Sequence, residues 1–229
     1  EENVRPEQIT GTEYAKNCLS WIDDNSFAVT TPTANGTGFS IRLINLGNIP
    51  DQTSERFDYG VYESCYTYVY GESRYAAYSR REENDAEIYL RNLDTGTEYA
   101  ITDNEVDDLM PNYGGRDMFL YYRQIPDSNP VAYDLIWLVG SGIISSIPNG
   151  LPISEITEPD LFQTRRLSRI VWGTTGREFV AGFEQVGNTR FGIEAGIGIF
   201  DTNAPPSAGV QNIAFYADAT DPDWRTRQQ

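Results

Sequence analysis

No histidine occurs in this sequence, and Lys16 is its single lysine. Without an imidazole, Ser-His-Asp and Cys-His nucleophile systems lack their general base, and His-ligated metals and haem lack a ligand. Cys18 and Cys65 are the only cysteines and form no CxxC pair, so zinc and thioredoxin-type chemistry have nothing to use. The two thiols leave one candidate disulfide, Cys18–Cys65, with a pair of free thiols as the alternative. GxGxxG, Gly-Lys phosphate loops and HExxH are all missing. No run approaches the roughly 18 apolar residues that a membrane-spanning helix needs. The nearest, Gly192–Phe200, is short, broken by glycine and carries Glu194. The chain begins at Glu1 rather than Met, as after removal of a leader or trimming of the sequence, and the expectation is an extracytoplasmic protein, periplasmic or cell-surface.

Positive charge is also scarce. Seventeen basic residues face 34 acidic ones, for a net charge of −17. Such a surface repels phosphate backbones and anionic lipid, which argues against nucleic acid as a partner. It leaves cation binding, a basic partner or plain solubility. What the chain does have is aromatic: 15 Tyr and 10 Phe, residues that suit pleated, half-buried strands. Runs rich in Ala, Leu, Glu and Lys, which would favour helix, are absent. The composition predicts an all-β protein, and 229 residues suffice for a single domain over 1–229.

The sequence repeats itself, which bears on the whole fold. One set of segments runs from an aromatic through a polar turn into an apolar strand. It begins at Trp21, Tyr70, Tyr113 and Trp172, at spacings of 49, 43 and 59 residues. A second set begins at Ile41, Ile88, Leu135 and Ile197, at spacings of 47, 47 and 62. Polar Gly/Asp/Asn/Ser clusters between them supply tight turns, with Asp94-Thr95-Gly96 the clearest. Each unit therefore holds about four short antiparallel strands, which cannot bury both faces alone and must stack on its neighbours. The expected core includes the four leading aromatics at corresponding buried places between units.

The segment Asp85–Tyr122 resembles the repeat of TolB-type β-propellers. Asn92-Leu93-Asp94-Thr95-Gly96 ends one strand, Ile101-Thr102 closes the next, and Pro111, Tyr113 and the apolar Met118–Tyr122 follow. The resemblance implies a β-propeller. Four units predict about four blades, with five as an alternative if Ile143–Phe162 hides a further unit, and an open, incomplete array as another. Pro6–Thr10 mimics an outer strand and would close the ring against Val210–Tyr216.

Few side-chain groups suggest chemistry. Asp103, Glu105, Asp107 and Asp108 lie between two units and form the best candidate calcium set, since calcium takes six to eight oxygen ligands; otherwise no cofactor is expected. Smaller acidic groups sit at Asp23-Asp24 and at Asp218, Asp221 and Asp223. Tyr62, Tyr66, Tyr68 and Tyr70 alternate along one strand face, as core or as a sugar-stacking platform. Asn35-Gly36-Thr37 fits a glycosylation sequon. The insertion Ile143–Arg169 joins apolar residues, among them Ile153, Leu161 and Phe162, to Arg165, Arg166 and Arg169. Apolar anchors beside arginine are what interface hot spots are built from. The expected function is a non-catalytic interaction or scaffold module, an accessory subunit docking on a larger complex, a membrane-bound one among the options. A small-ligand or carbohydrate-binding propeller is the alternative, and a carboxylate-based glycan-active enzyme a third.

Overall fold

The run Phe119-Leu120-Tyr121-Tyr122 shows why this chain folds as stacked sheets. All four side chains are buried. Successive residues of a strand point to opposite faces, so such a strand must be covered on both sides. The computed structural model describes residues 19–23, 25–32, 39–45, 56–59, 61–70, 73–114, 118–139, 155–157, 163–172, 178–186, 195–201 and 211–217.

Four antiparallel sheets succeed one another along the chain. The first joins β1 (Leu19–Asp23), β2 (Ser26–Pro32), β3 (Phe39–Asn45) and β4 (Arg56–Tyr59) in that order. The second joins β5 (Val61–Tyr70), β6 (Ser73–Arg81), β7 (Ala86–Asn92) and β8 (Glu98–Ala100). The third holds β9 (Asp108–Gly114), β10 (Met118–Gln124) and β11 (Tyr133–Val139). Its outer edge comes in two pieces, β12 (Glu155–Thr157) and β13 (Gln163–Thr164), both paired to β11. The fourth joins β14 (Val171–Trp172), β15 (Glu178–Glu184), β16 (Ala195–Asp201) and β17 (Gln211–Ala217). The repeat at Ile41, Ile88, Leu135 and Ile197 falls on β3, β7, β11 and β16, the third strand of every sheet.

The third sheet is sandwiched. Phe119, Tyr121 and Ile136 pack against Tyr75, Ala77, Ile88 and Leu90 of the second sheet. Leu120, Tyr122 and Leu135 pack against Phe179, Ala181, Phe183 and Phe200 of the fourth. On the other side, β5 lies against β1, β2 and β3. Each sheet thus stacks on its neighbour in the chain, which is the propeller arrangement. The described sheets are not closed into a ring: β17 pairs with β16, and no described core cluster joins the fourth sheet to the first. Pro6–Thr10, invoked for closure, lies outside the described residues, whereas Gln211–Tyr216 lies in β17. The described part of Ile143–Phe162, Glu155–Thr157, completes the third sheet rather than forming a further unit.

Two expectations about the leading aromatics need correction. Trp21 is 56% exposed, although its ring lies 5.3 Å from that of Phe27. Tyr70 is not the counterpart of the other three. Trp21, Tyr113 and Trp172 sit opposite Phe27, Phe119 and Phe179, whereas Tyr70 sits opposite Ser73. Tyr68, opposite Tyr75, takes the aromatic-pair position two residues earlier in the strand. Tyr68 and Tyr70 are two residues apart and share a face, so the aromatic pair is shifted along the strand rather than across it. The turn at Asp94-Thr95-Gly96 forms as expected. Asn92 Oδ1 accepts from the Asp94 and Thr95 amides, and Gly96 adopts φ +76°, a conformation that favours glycine.

Candidate functional site: two inter-blade connectors

Polar side chains concentrate in the two connectors that carry the chain from one sheet to the next. In the first, residues 101–108, β8 stops at Ala100 and leaves the edge of β7 only partly paired. The connector finishes that edge with side chains. Thr102 Oγ1 accepts from Ile88 N at 2.8 Å, and Asp107 Oδ1 accepts from Ala86 N at 2.9 Å. The strand expected to close at Ile101-Thr102 ends at Ala100, and beyond it the Thr102 hydroxyl takes the place of a backbone carbonyl.

The carboxylates of this connector are tied to arginines. Asp108, fully buried, receives Arg123 through Nε at 2.9 Å and Nη2 at 3.0 Å, and Asn104 Nδ2 at 2.7 Å. Burial pushes its carboxyl up, against the opposing pull of Arg123. Asp107 takes Arg81 Nη2 at 3.0 Å. Asp103 and Glu105 are exposed. The four calcium candidates therefore divide between arginine partners and solvent, and no three metal-ligating residues converge among the described residues.

Sequence reasoning missed a paired feature. Tyr78 and Arg80 on β6, and Tyr121 and Arg123 on β10, stand two residues apart, and each pair meets a carboxylate. Tyr78 Oη donates to Glu98 Oε2, and Arg80 Nη1 donates to Glu98 Oε1 at 2.6 Å. Arg80 lies 3.6 Å above the Tyr89 ring, and Tyr89 Oη donates to Glu82. Arg123 meets Asp108 and donates to Tyr121 Oη at 2.7 Å. Across the third sheet the register places Asp108, Arg123, Asp134 and Gln163 in one row. The signal was Tyr-x-Arg recurring after 43 residues, the spacing that separates Tyr70 from Tyr113.

The second connector, residues 163–170, straps the third sheet to the fourth. Gln163 and Thr164 pair with β11, and Arg165 N donates to Glu184 O at 2.8 Å. Thr164 Oγ1 accepts from Glu184 N at 2.9 Å. Ser168 Oγ accepts from Gly182 N at 2.7 Å and donates to Gly182 O at 3.0 Å. Leu167 and Ile170 pack into the core between the two sheets, and Asn112 Nδ2 donates to Ile170 O at 2.7 Å. Tyr122 Oη lies 3.4 Å from Ser168 Oγ, and full burial pushes its pKa up to about 12.

Of the expected partner-binding residues, Arg165 and Arg169 are exposed on this strap, while Arg166 is half-buried beside Gly182. Ile153, Leu161 and Phe162 lie outside the described residues, as do Cys18, the sequon at Asn35, Asp24 and the C-terminal acidic group. Cys65 lies in β5 opposite Tyr78. No described helix is long and apolar enough to cross a membrane.

Four-stranded antiparallel sheets stacked in chain order define a β-propeller fold, and comparison with solved structures agrees. The chain is similar to TolB from Acinetobacter baumannii, with a TM-score of 0.58, 14% identity, and coverage of 89% of this chain and 43% of that one. It is similar to an oligogalacturonate lyase from Vibrio parahaemolyticus, with a TM-score of 0.55, 8% identity, and coverage of 90% and 56%. The propeller domain of the Trilobed protease from Pyrococcus furiosus, described as having an open velcro topology, gives a TM-score of 0.50, 12% identity, and coverage of 88% and 57%. The fold is therefore that of a TolB-like propeller, and the chain spans about half the length of these structures. No protein-family profile and no curated protein matches the sequence.

Proposed function

We propose that this chain is a non-catalytic interaction module, an extracytoplasmic accessory subunit that docks on a larger complex through the strap between the third and fourth sheets. The observation that carries the reading is the strap itself. Its backbone is tied to the third sheet through β13 and Asn112 and to the fourth through Glu184, and it displays Arg165 and Arg169 on a protein of net charge −17. A fixed backbone lowers the entropy lost on docking, and guanidinium groups favour bidentate carboxylate partners. The partner surface is therefore carboxylate-rich. The lack of histidine and the engagement of Asp107, Asp108 and Glu98 with arginines support a role without catalysis.

The test is charge reversal, which leaves β12 and β13 at the edge of the third sheet intact. The double variant R165E/R169E is expected to lose co-purification with its native complex at least tenfold while melting within a few degrees of the parent. Retained co-purification by a folded variant would end the assignment to this strap. Fractionation of the native cells tests the extracytoplasmic placement.

A further inference from the structure

Glu87 lies on β7 directly opposite Arg80 of β6, yet the two form no ion pair. Arg80 is turned towards Glu98, Glu82 and the ring of Tyr89. Glu87 is only 4% exposed. Its Oε1 accepts from Asn104 N at 2.6 Å; its Oε2 has no donor within hydrogen-bond distance, although the Thr102 hydroxyl is near enough to favour the anion. The charged groups around it do not help. Asp108 and Asp85 are both near enough to oppose a negative charge. The nearby cations are committed, Arg123 to Asp108 and Arg81 to Asp107. Asp103 and Glu105 flank Asn104 in the same connector and are exposed.

A buried carboxylate with one oxygen lacking a close donor and two carboxylate neighbours is disfavoured as an anion. We propose that the connector between the second and third sheets is a proton-operated latch, closed when Glu87 is neutral and loosened when it ionises. Neutral Glu87 still accepts from Asn104 N through its carbonyl oxygen, which keeps the connector seated on β7. Asn104 in turn holds Val106 N at 2.9 Å and Asp108 Oδ2 at 2.7 Å, so its release would propagate through the connector. Ionisation draws water to Oε2 and works against that seat.

The sign follows from the burial, which is the largest influence and raises the Glu87 pKa, with Asp108 and Asp85 adding to it against Thr102 and Asn104. The folded form binds its proton more tightly than the unfolded form. The stabilisation is complete below the ordinary glutamate range, about pH 4.3, and is lost as pH rises through the raised value.

The experiment uses the full chain in EDTA, with 13C titration of the Glu87 carboxyl, assigned by its disappearance in E87Q, and hydrogen exchange of the Asn104, Val106 and Ile88 amides. Glu87 is expected to titrate above the exposed glutamates, and connector protection, corrected for intrinsic exchange, to fall through the same window. In that window the folding constant is expected to change by up to about tenfold per pH unit more in the parent than in E87Q. Titration of Glu87 among the exposed glutamates would overturn the latch. So would identical pH dependence in E87Q, or recovery of protection when calcium replaces EDTA at high pH, which would make this a cation site instead.

Discussion

Asp107 and Asp108 are adjacent in sequence but differ in what their arginines contribute. The Asp108 carboxylate is inaccessible to solvent, and Arg123 is 23% exposed. Removing one member of a buried pair leaves the other uncompensated, at a cost of about 3 kcal/mol. D108A is therefore expected to lower stability by about that amount in denaturant titration. D107A loses an exposed ion pair and one edge hydrogen bond, and its expected cost is about 1 kcal/mol. Equal losses would mean that the Arg123 pair is no more buried in solution than the Arg81 pair. The recurring Tyr-x-Arg stands in the sequence and was missed, and nothing local to it names the partners. Arg80 finds Glu98 on an outer strand, and Arg123 finds Asp108 at the start of an inner one. No fixed offset links arginine to acid, so the acidic cluster does not announce its arginine partners in sequence.

Among elements, the strap at 163–170 substitutes side-chain hydroxyls for the missing length of β14, which has only two residues. Ser168 Oγ serves both backbone groups of Gly182, so S168A would leave two buried groups unpaired and cost about 2 kcal/mol. Exchange of the Gly182 amide should accelerate more than that of Val180. Gly182 is fixed by the same contact: a Cβ there would stand 3.1 Å from Ser168 Cβ. G182A should destabilise by about 1–2 kcal/mol in the parent, and by less in an S168G background, where the clashing side chain is gone. An additive double variant would show that the two residues do not meet. This strap was half legible. The stretched spacing before Trp172 marked an insertion, but β12 and β13 are too short to show strand periodicity, and their pairing to β11 depends on the fold. The third strands were legible because their spacing of 47 residues is set by whole blades. The inner aromatics were not, because Tyr68 and Tyr70 alternate on one face and only the strand register shows that Tyr68 takes the pair position.

For the whole molecule, stacking order sets where stability resides. The third sheet is packed on both faces, whereas the fourth shows an alternating pattern on β16, with Ile197 and Ile199 only half-buried on the side away from the third sheet. In a quasi-linear array, protection follows the number of neighbours each unit has. Amides of β10 and β6 should therefore exchange most slowly, and those of β16 should open earlier. Uniform protection across the four sheets would require a closed ring instead.

The side-chain caps on β7 have a further consequence. An unpaired strand edge is a template on which another chain can add as an extra strand, the first step towards aggregation. Where β8 ends, Thr102 and Asp107 already occupy the Ile88 and Ala86 amides, and Asp107 brings a negative charge to the rim. Edge-to-edge growth is blocked there without any lengthening of the sheet. The variant T102V/D107A would keep the hydrophobic core intact and reopen that edge, so its first symptom should be concentration-dependent self-association rather than unfolding.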